Sequence, residues 1–395
     1  MEIGLVGKTN TGKSTFFKAS TLIDVEISNR VFTTIKPHTG IAYYKTRCPC
    51  KELGVTCNPQ NSKCVNGARL VPVKLWDIAG LVPGAHEGKG LGLQFLDDIR
   101  QASVLIHVLD ISGKTDENGE PTEDYDSSKD VAFLEKEIDF WFLDIFKKEW
   151  KSFSGKLRSG KGDFVKEFAR RFSGLGVREE DIEVALEETS LSEDVLKWSE
   201  EDMLRFVTIL RKRTKPMVIA ANKIDVPGSE EKLNSLRKAY PDYKIIPTSA
   251  ESELALREAD AHDLIRYVPG ESNFDVVDNS KLSEKQRQAL DFIRRFLEKW
   301  KTTGVQECIN AAVDAINYIV VYPVEDENKL CNKDGHVLPD AYLVPKGTTA
   351  KELAFLVHED IGKHYIYAVD CRTHQRIAAD HELKDGDIIH IQAAK

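Results

Sequence analysis

No stretch of the 395 residues is apolar for long enough to cross a bilayer, which argues against a membrane-spanning helix. The N-terminus shows no basic flank and no cleavage site: Met1-Glu2-Ile3-Gly4-Leu5-Val6 reads as a short strand entering a loop at once, so the expected address is the cytoplasm. Positive charge is also short. With 55 Lys and Arg against 64 Asp and Glu, the formal charge of −9 excludes wholesale nucleic-acid binding through a basic surface. One local exception is residues 147–171, which hold nine Lys or Arg and three Asp or Glu, an excess of six. A solvated helix face is the plainer reading of that run, and contacts to phosphates are the other. Seven cysteines are too few for a secreted disulfide scaffold of this length. What remains is a globular composition, 41% hydrophobic and 30% charged, in a chain long enough for two or three domains.

The first chemistry-bearing segment is Gly7-Lys8-Thr9-Asn10-Thr11-Gly12-Lys13-Ser14, which fits GxxxxGK[ST] between a strand and a helical stretch opening at Thr15. Glycines let the backbone wrap a phosphate chain, and successive N–H groups with the helix N-terminus form a positive cradle. In this pattern Lys13 reaches the β- and γ-phosphates and Ser14 ligates Mg²⁺. The base is specified further on, where the apolar strand Met217 to Ala221 ends in Asn222-Lys223-Ile224-Asp225. The Asp225 carboxylate can accept two hydrogen bonds from N1–H and the exocyclic amine of guanine, an arrangement adenine cannot satisfy. Asn222 is expected to tie this loop to the phosphate loop, and the Lys223 stem to lie over the base. Thr248-Ser249-Ala250 offers a backbone N–H for guanine O6, through Ser249 or Ala250, although Glu251 follows where Lys is usual.

Between these motifs, Thr34 in Val31-Phe32-Thr33-Thr34-Ile35 is the candidate that closes over Mg²⁺, with a Thr-rich strand entry as the alternative. Asp77-Ile78-Ala79-Gly80 supplies a carboxylate that holds Mg²⁺ through water and a Gly80 N–H that senses the γ-phosphate. Leu81 stands where many such enzymes carry a water-orienting glutamine. His86 and Glu87 are nearby replacements by chemistry, but spacing fixes neither, and no arginine is placed as a finger. The expected enzyme is therefore a slow Mg²⁺-dependent GTPase on a doubly wound α/β sheet.

Asp77 and Asn222 are 145 residues apart, whereas two β/α steps need about 60 to 70. Leu134, Ile138, Trp141 and Ile145 mark an amphipathic helix, Phe164, Phe168 and Phe172 a second, and Ser199 with Asp202 the start of a third. The insert is expected to be helical. Ser283 to Gln286 reads as a capping box ahead of Leu290, Ile293, Leu297 and Trp300, and residues from Tyr318 onward turn β-α-β in character. The expected organisation is a nucleotide domain over 1–125 and 214–281, a helical insert over 126–213, a helical connector over 282–317 and a small β-rich domain over 318–395.

A hairpin over 45–68 carries Cys48, Cys50, Cys57 and Cys64 at C-x-C-x6-C-x6-C spacing. Four soft ligands suffice for tetrahedral Zn²⁺, while a pair of disulfides or free thiols are the alternatives.

GKTNTGKST, VFTTIKPHTG, WDIAGLVPGAHEGKGLGLQFLDDIRQA and the terminal LKDGDIIHI together resemble the Obg-related GTPases, closest to the YchF type with its C-terminal TGS domain, a β-grasp module. The resemblance covers the nucleotide domain and the tail, and the insert in position only. It implies GTP or GDP as ligand, a ribosome or RNA as partner, and a hydrophobic residue at Leu81. YchF proteins often have a degenerate guanine motif and accept ATP; here Asn222-Lys223-Ile224-Asp225 is intact, which favours GTP. Asn10 matches the asparagine that helps hold a potassium ion in related GTPases lacking the glutamine; simple capping of the loop is the other reading. A monomer is assumed.

Overall fold

The structure, a computed structural model, describes residues 1–21, 38–78, 92–158, 163–191 and 195–394. Its strands are β1 (Glu2–Val6), β2 (Thr39–Arg47), β3 (Lys63–Val65), β4 (Ala68–Asp77), β5 (Val104–Asp110), β6 (Met217–Asn222), β7 (Lys244–Thr248), β8 (Ile265–Arg266), β9 (Asp275–Val276), β10 (Tyr318–Val324), β11 (Tyr342–Pro345), β12 (Tyr365–Asp370), β13 (Gln375–Ile377) and β14 (Ile388–Ala393). The chain forms two compact units, residues 2–19 with 75–308, and residues 20–74 with 309–395.

The first unit is the P-loop nucleotide fold with its helical insertion. Strands β1, β5, β6 and β7 run parallel in that order, with Leu5 beside Ile106, His107 beside Ile219 and Ala220 beside Ile246. Every residue of β5 and β6 is buried, the pattern of a parallel sheet covered on both faces. The end of β4 reaches β1, where the Ile78 N–H donates to the Leu5 carbonyl at 3.1 Å. Register carries Asp110, Asn222 and Thr248 into one row at the carboxyl ends of β5, β6 and β7, the edge where open α/β sheets place ligands.

The insertion opens with the helix Ser128–Arg158, continues through Phe164–Phe172 and closes with Glu200–Thr214. Phe168 stacks on Phe172 at 4.0 Å and meets Phe146 and Phe206 edge-on, so the phenylalanine stripe is core. Asp163 caps its helix, and Ser199 with Asp202 forms a capping box. The structure adds a helix at Glu179–Thr189, whose short apolar set Ile182, Ala185 and Leu186 gives little periodic signal. Arg211 is buried and joins the last helix to the first through Asp139 at 2.8 Å and Glu135 at 3.0 Å. Among the described residues no helix is long and apolar enough to cross a membrane.

The second unit contains a five-stranded sheet in the order β11-β10-β14-β12-β13. Helix Ala350–Val357 covers one face, seating Ala350, Leu353 and Ala354 against Val321, Ala368 and Ile389. Strands β2, β3 and β4 form the cysteine hairpin, which shares a core with the opposite side of the sheet: Cys48, Cys50 and Val71 pack with Tyr322, Leu338 and Ile388.

Candidate functional site

The phosphate loop leaves β1 at Val6 and enters the helix Lys13–Thr21, with Thr15 on its first turn. Gly12 has φ +88°, and a Cβ there would lie 2.3 Å from the Asn222 side chain, so the motif's second glycine is demanded by the close approach of the Asn222 loop. Asn10 takes the left-handed conformation at φ 62° and Lys223 does the same at φ 64°.

Asn222 is the hub. It is buried, donates through Nδ2 to the Thr11 carbonyl at 2.8 Å and accepts at Oδ1 from the Ala250 N–H at 2.9 Å. Three segments more than 200 residues apart in part are thereby held by one side chain. Lys223 adds a second tie, with Nζ donating to the Asn10 carbonyl at 2.7 Å and to Asp110 Oδ2 at 2.9 Å. Burial alone would raise the Asp110 carboxyl; the Lys223 ammonium and the Ser112 hydroxyl outweigh it and hold the group below its ordinary range. Asp225 is half-exposed and borders an open groove of about 390 Å³ shared with Phe292, Arg295 and Trp300.

On the phosphate side, Lys13 Nζ pairs with Asp77 Oδ1, and Ser14 Oγ stands 3.5 Å from Asp77 Oδ2. A lysine ammonium suited to a phosphate therefore converges at the mouth of the cradle with a hydroxyl and a carboxylate, the hard oxygen donors that suit Mg²⁺. The Ser249 N–H donates to the Thr303 carbonyl at 2.9 Å and the Ala250 N–H to Asn222, so both amides expected to face guanine O6 are engaged within the protein. Thr34, Gly80, Leu81, His86 and Glu87 lie outside the described residues.

The cysteine hairpin is a second constellation. Cys48 ends the β2 segment, Cys50 sits in the short helix Pro49–Leu53, Cys57 follows in a loop and Cys64 is on β3. All four Sγ atoms lie within 4.8 Å of one another, with Cys48 to Cys57 and Cys50 to Cys64 each at 3.8 Å, and all are free thiols. Four sulfurs about 2.3 Å from a central ion stand about 3.8 Å apart in a tetrahedron, so the cage has the size of a Zn²⁺ site. Burial pushes the Cys48 thiol far up and that of Cys57 to about 12. The neighbouring Arg69 is fully buried. Its Nη2 donates to the Leu338 carbonyl at 2.5 Å, while Nε and Nη1 find no hydrogen-bond partner. Arg69 also faces the Tyr322 ring and acts on the Asp340 carboxylate, and four thiolates around a divalent ion would add negative charge beside it.

Residues 2–137 match the family described as 50S ribosome-binding GTPase, residues 220–326 the Obg-like GTPase YGR210-like domain containing the G4 motif, and residues 333–393 the TGS domain. A GTP-binding protein of Methanocaldococcus jannaschii is 52% identical over 99% of both chains. The chain belongs to the Obg-like GTPases of the YchF type. Within this family, the ribosome-binding ATPase YchF of Buchnera aphidicola is 26% identical over 98% of this chain and 97% of its own. The crystal structure of a GTP-binding protein from Pyrococcus horikoshii OT3 superposes with a TM-score of 0.78 at 41% identity, covering both chains in full. The P-loop fold with a helical insertion and a C-terminal TGS domain expected from the sequence is thus found in an Obg-like GTPase.

The residues tied to these loops that sequence reading missed include Asp110 and Thr303. Asp110 ends β5 in a run that reads as plain strand, and only its register beside Asn222 brings it to Lys223. Thr303 follows a helix with no motif of its own and meets the Ser249 loop only in the fold.

Proposed function

We propose that this chain hydrolyses GTP to GDP and phosphate with Mg²⁺ and acts as a cytoplasmic, ribosome-associated switch. The observation that carries the reading is Asn222, which holds the base-reading loop, the phosphate loop and the Ala250 turn in one array. Asp225, next in that loop, offers a carboxylate to N1–H and the amine of guanine, and adenine would leave it opposite an acceptor. Lys13 neutralises the β- and γ-phosphates, and Ser14 with Asp77 would hold Mg²⁺, directly and through water. Bound there, Mg²⁺ would supply positive charge to offset the negative charge that develops on the phosphates. Thr34 and the Gly80 N–H complete the switch contacts in this reading.

With Leu81 in place of glutamine and no arginine finger, a group worth about 10³ to 10⁵ in rate, intrinsic turnover is slow. A potassium ion beside Asn10 supplies part of that charge. The Asn10 Nδ2 donates to the Gly119 carbonyl at 2.9 Å, which leaves the amide oxygen as the acceptor for the ion. Hydrolysis no faster in potassium than in sodium buffer would remove this element. Zn²⁺ in the Cys48, Cys50, Cys57 and Cys64 cage is structural, since four protein ligands leave no open position.

The principal test is turnover of GTP against ATP by the purified chain with Mg²⁺. Faster turnover and tighter binding of ATP would replace the GTPase by an ATPase of the kind the Buchnera relative is named for, and equal values would remove base selection. Ribosome association rests on that relative's name and on the match to the 50S ribosome-binding GTPase description. The alternative is a nucleotide-dependent ribosome or RNA adaptor with little catalysis of its own; co-sedimentation with ribosomes in GDP and in a non-hydrolysable GTP analogue tests the switch, which equal binding in both states would remove.

A further inference from the structure

The outer residues of the phosphate loop are not free. Lys8 points away from the cradle into the protein, where its ammonium donates to the Thr115 carbonyl at 3.1 Å and pairs with Asp130 at 2.8 Å, both partners being buried. It also stands 3.9 Å over the Tyr125 ring, whose hydroxyl donates to Asp130 Oδ1 at 2.9 Å. The next residue, Thr9, donates through Oγ1 to the Asn118 carbonyl at 3.1 Å, and Asn10 donates to the Gly119 carbonyl at 2.9 Å. Three consecutive residues of the loop are therefore fastened to one segment, 115–130, that leads from β5 into the long insert helix.

That segment is itself rigid. Thr115 bridges to Pro121, and Asp116 Oδ1 accepts from the Asn118 and Glu120 N–H groups at 2.9 Å each. Thr115 Oγ1 donates to Asp110 Oδ2, the oxygen that also receives Lys223. Gly119 has φ +82°, and a Cβ there would fall 2.0 Å from Thr9 Oγ1, so the approach to the phosphate loop tolerates no side chain. Behind the contact lies a small cavity of about 50 Å³ walled in part by Lys8, His107, Glu117 and Asp130.

We propose that Lys8 and Asp130, with Gly119, are positioning residues that brace the phosphate loop against the root of the helical insert, so that its N–H groups face the phosphates only while the brace is closed. The Lys8 and Asp130 side chains are turned to each other and not to the cradle. The effect of the brace passes through the loop backbone, and by reciprocity bound nucleotide must stabilise segment 115–120. The inference rests on the phosphate loop being the nucleotide site of the proposed function. It is independent of which base is read and of whether hydrolysis follows.

Titration of the full chain with fluorescent GDP, together with amide hydrogen exchange, tests it. The wild-type titration decides by itself whether the loop holds nucleotide. Given binding, GDP should slow exchange at Asn118, Gly119 and Glu120 by about tenfold or more, and Gly119→Ala should weaken GDP by about tenfold or more while its unfolding midpoint falls as the strained backbone and the clash with Thr9 require. Lys8→Met and Asp130→Leu should each weaken GDP, and their combination should cost less than the product of the two, as for one shared interaction. Wild-type chain that binds GDP without protecting 118–120, or Gly119→Ala that binds GDP as wild type does, overturns the brace.

Discussion

The Asn222 side chain donates to the Thr11 carbonyl at 2.8 Å across 211 positions of sequence. Its other end receives the Ala250 N–H at 2.9 Å, so one buried amide satisfies an acceptor and a donor that have no water to turn to. Asn222→Ala leaves both unpaired, at roughly 1 to 3 kcal/mol each. The expected outcome is GDP binding weaker by about tenfold or more and a lower unfolding midpoint, measured by calorimetric titration and thermal unfolding of the same sample. Unchanged affinity would mean that the three loops are held by something else.

A different substitution addresses base choice. Asp225→Asn turns an acceptor into a group with both donor and acceptor, which suits the 2-oxo group of xanthine in place of the guanine amine. Affinity for GDP should fall by about two decades or more, with xanthosine diphosphate gaining in the same titration. Loss of both ligands together would point to a misfolded loop, and loss of neither would remove Asp225 as the reader.

Much of this site was legible because its motifs are local and each lies in its expected setting. The phosphate loop sits between β1 and a helix, Asn222 ends β6, and the phenylalanines at 164, 168 and 172 predicted a helix that forms at Phe164–Phe172. What stayed hidden depends on pairs far apart in the chain. Lys8 and Asp130 are 122 positions apart, and neither residue type nor spacing marks them as partners. The same holds for Arg69 and Leu338, 269 apart, and for Asn61, which donates to and accepts from Ala341 across 280 positions. The short helix Glu179–Thr189 was illegible for another reason, a strongly acidic start and too few apolar positions to set a period.

The cysteine cage makes a structural prediction. Asn58 donates through Nδ2 and receives at Oδ1 around His336 and Val337, and the Gln60 N–H donates to the Pro339 carbonyl at 2.7 Å, so the loop between two cage cysteines lies along the strand-like segment 336–341 of the TGS domain. Metal in the cage would fix this loop. Purified chain is expected to carry about one Zn²⁺, in keeping with four closed ligands. Chelation, or Cys50→Ser with Cys64→Ser, should lower the unfolding midpoint and speed exchange at 336–341, because the loop loses its metal tie and buried Arg69 loses the negative charge beside it that the cage would supply. Metal-free protein with an unchanged midpoint would show that hydrophobic packing alone holds the hairpin.

His107 makes the acid limb of stability testable. The residue is buried on β5, its Nδ1 has no hydrogen-bond partner, and burial, followed by the nearby Lys8 charge, pushes its pKa down to about 3. The unfolded chain takes up a proton near pH 6.5 that the folded chain refuses until about pH 3. Folding stability is therefore complete above pH 6.5 and lost as pH falls through that window, by about 1.4 kcal/mol per pH unit. His107→Phe cannot titrate. Its unfolding free energy, taken from urea transitions between pH 6 and 4, should fall less steeply than wild type by about that amount per unit, whatever the substitution costs at neutral pH. Parallel slopes would mean that the folded protein accepts the proton, which would require a partner for the imidazolium in the cavity behind Lys8, where Glu117 and Asp130 are the carboxylates on the wall.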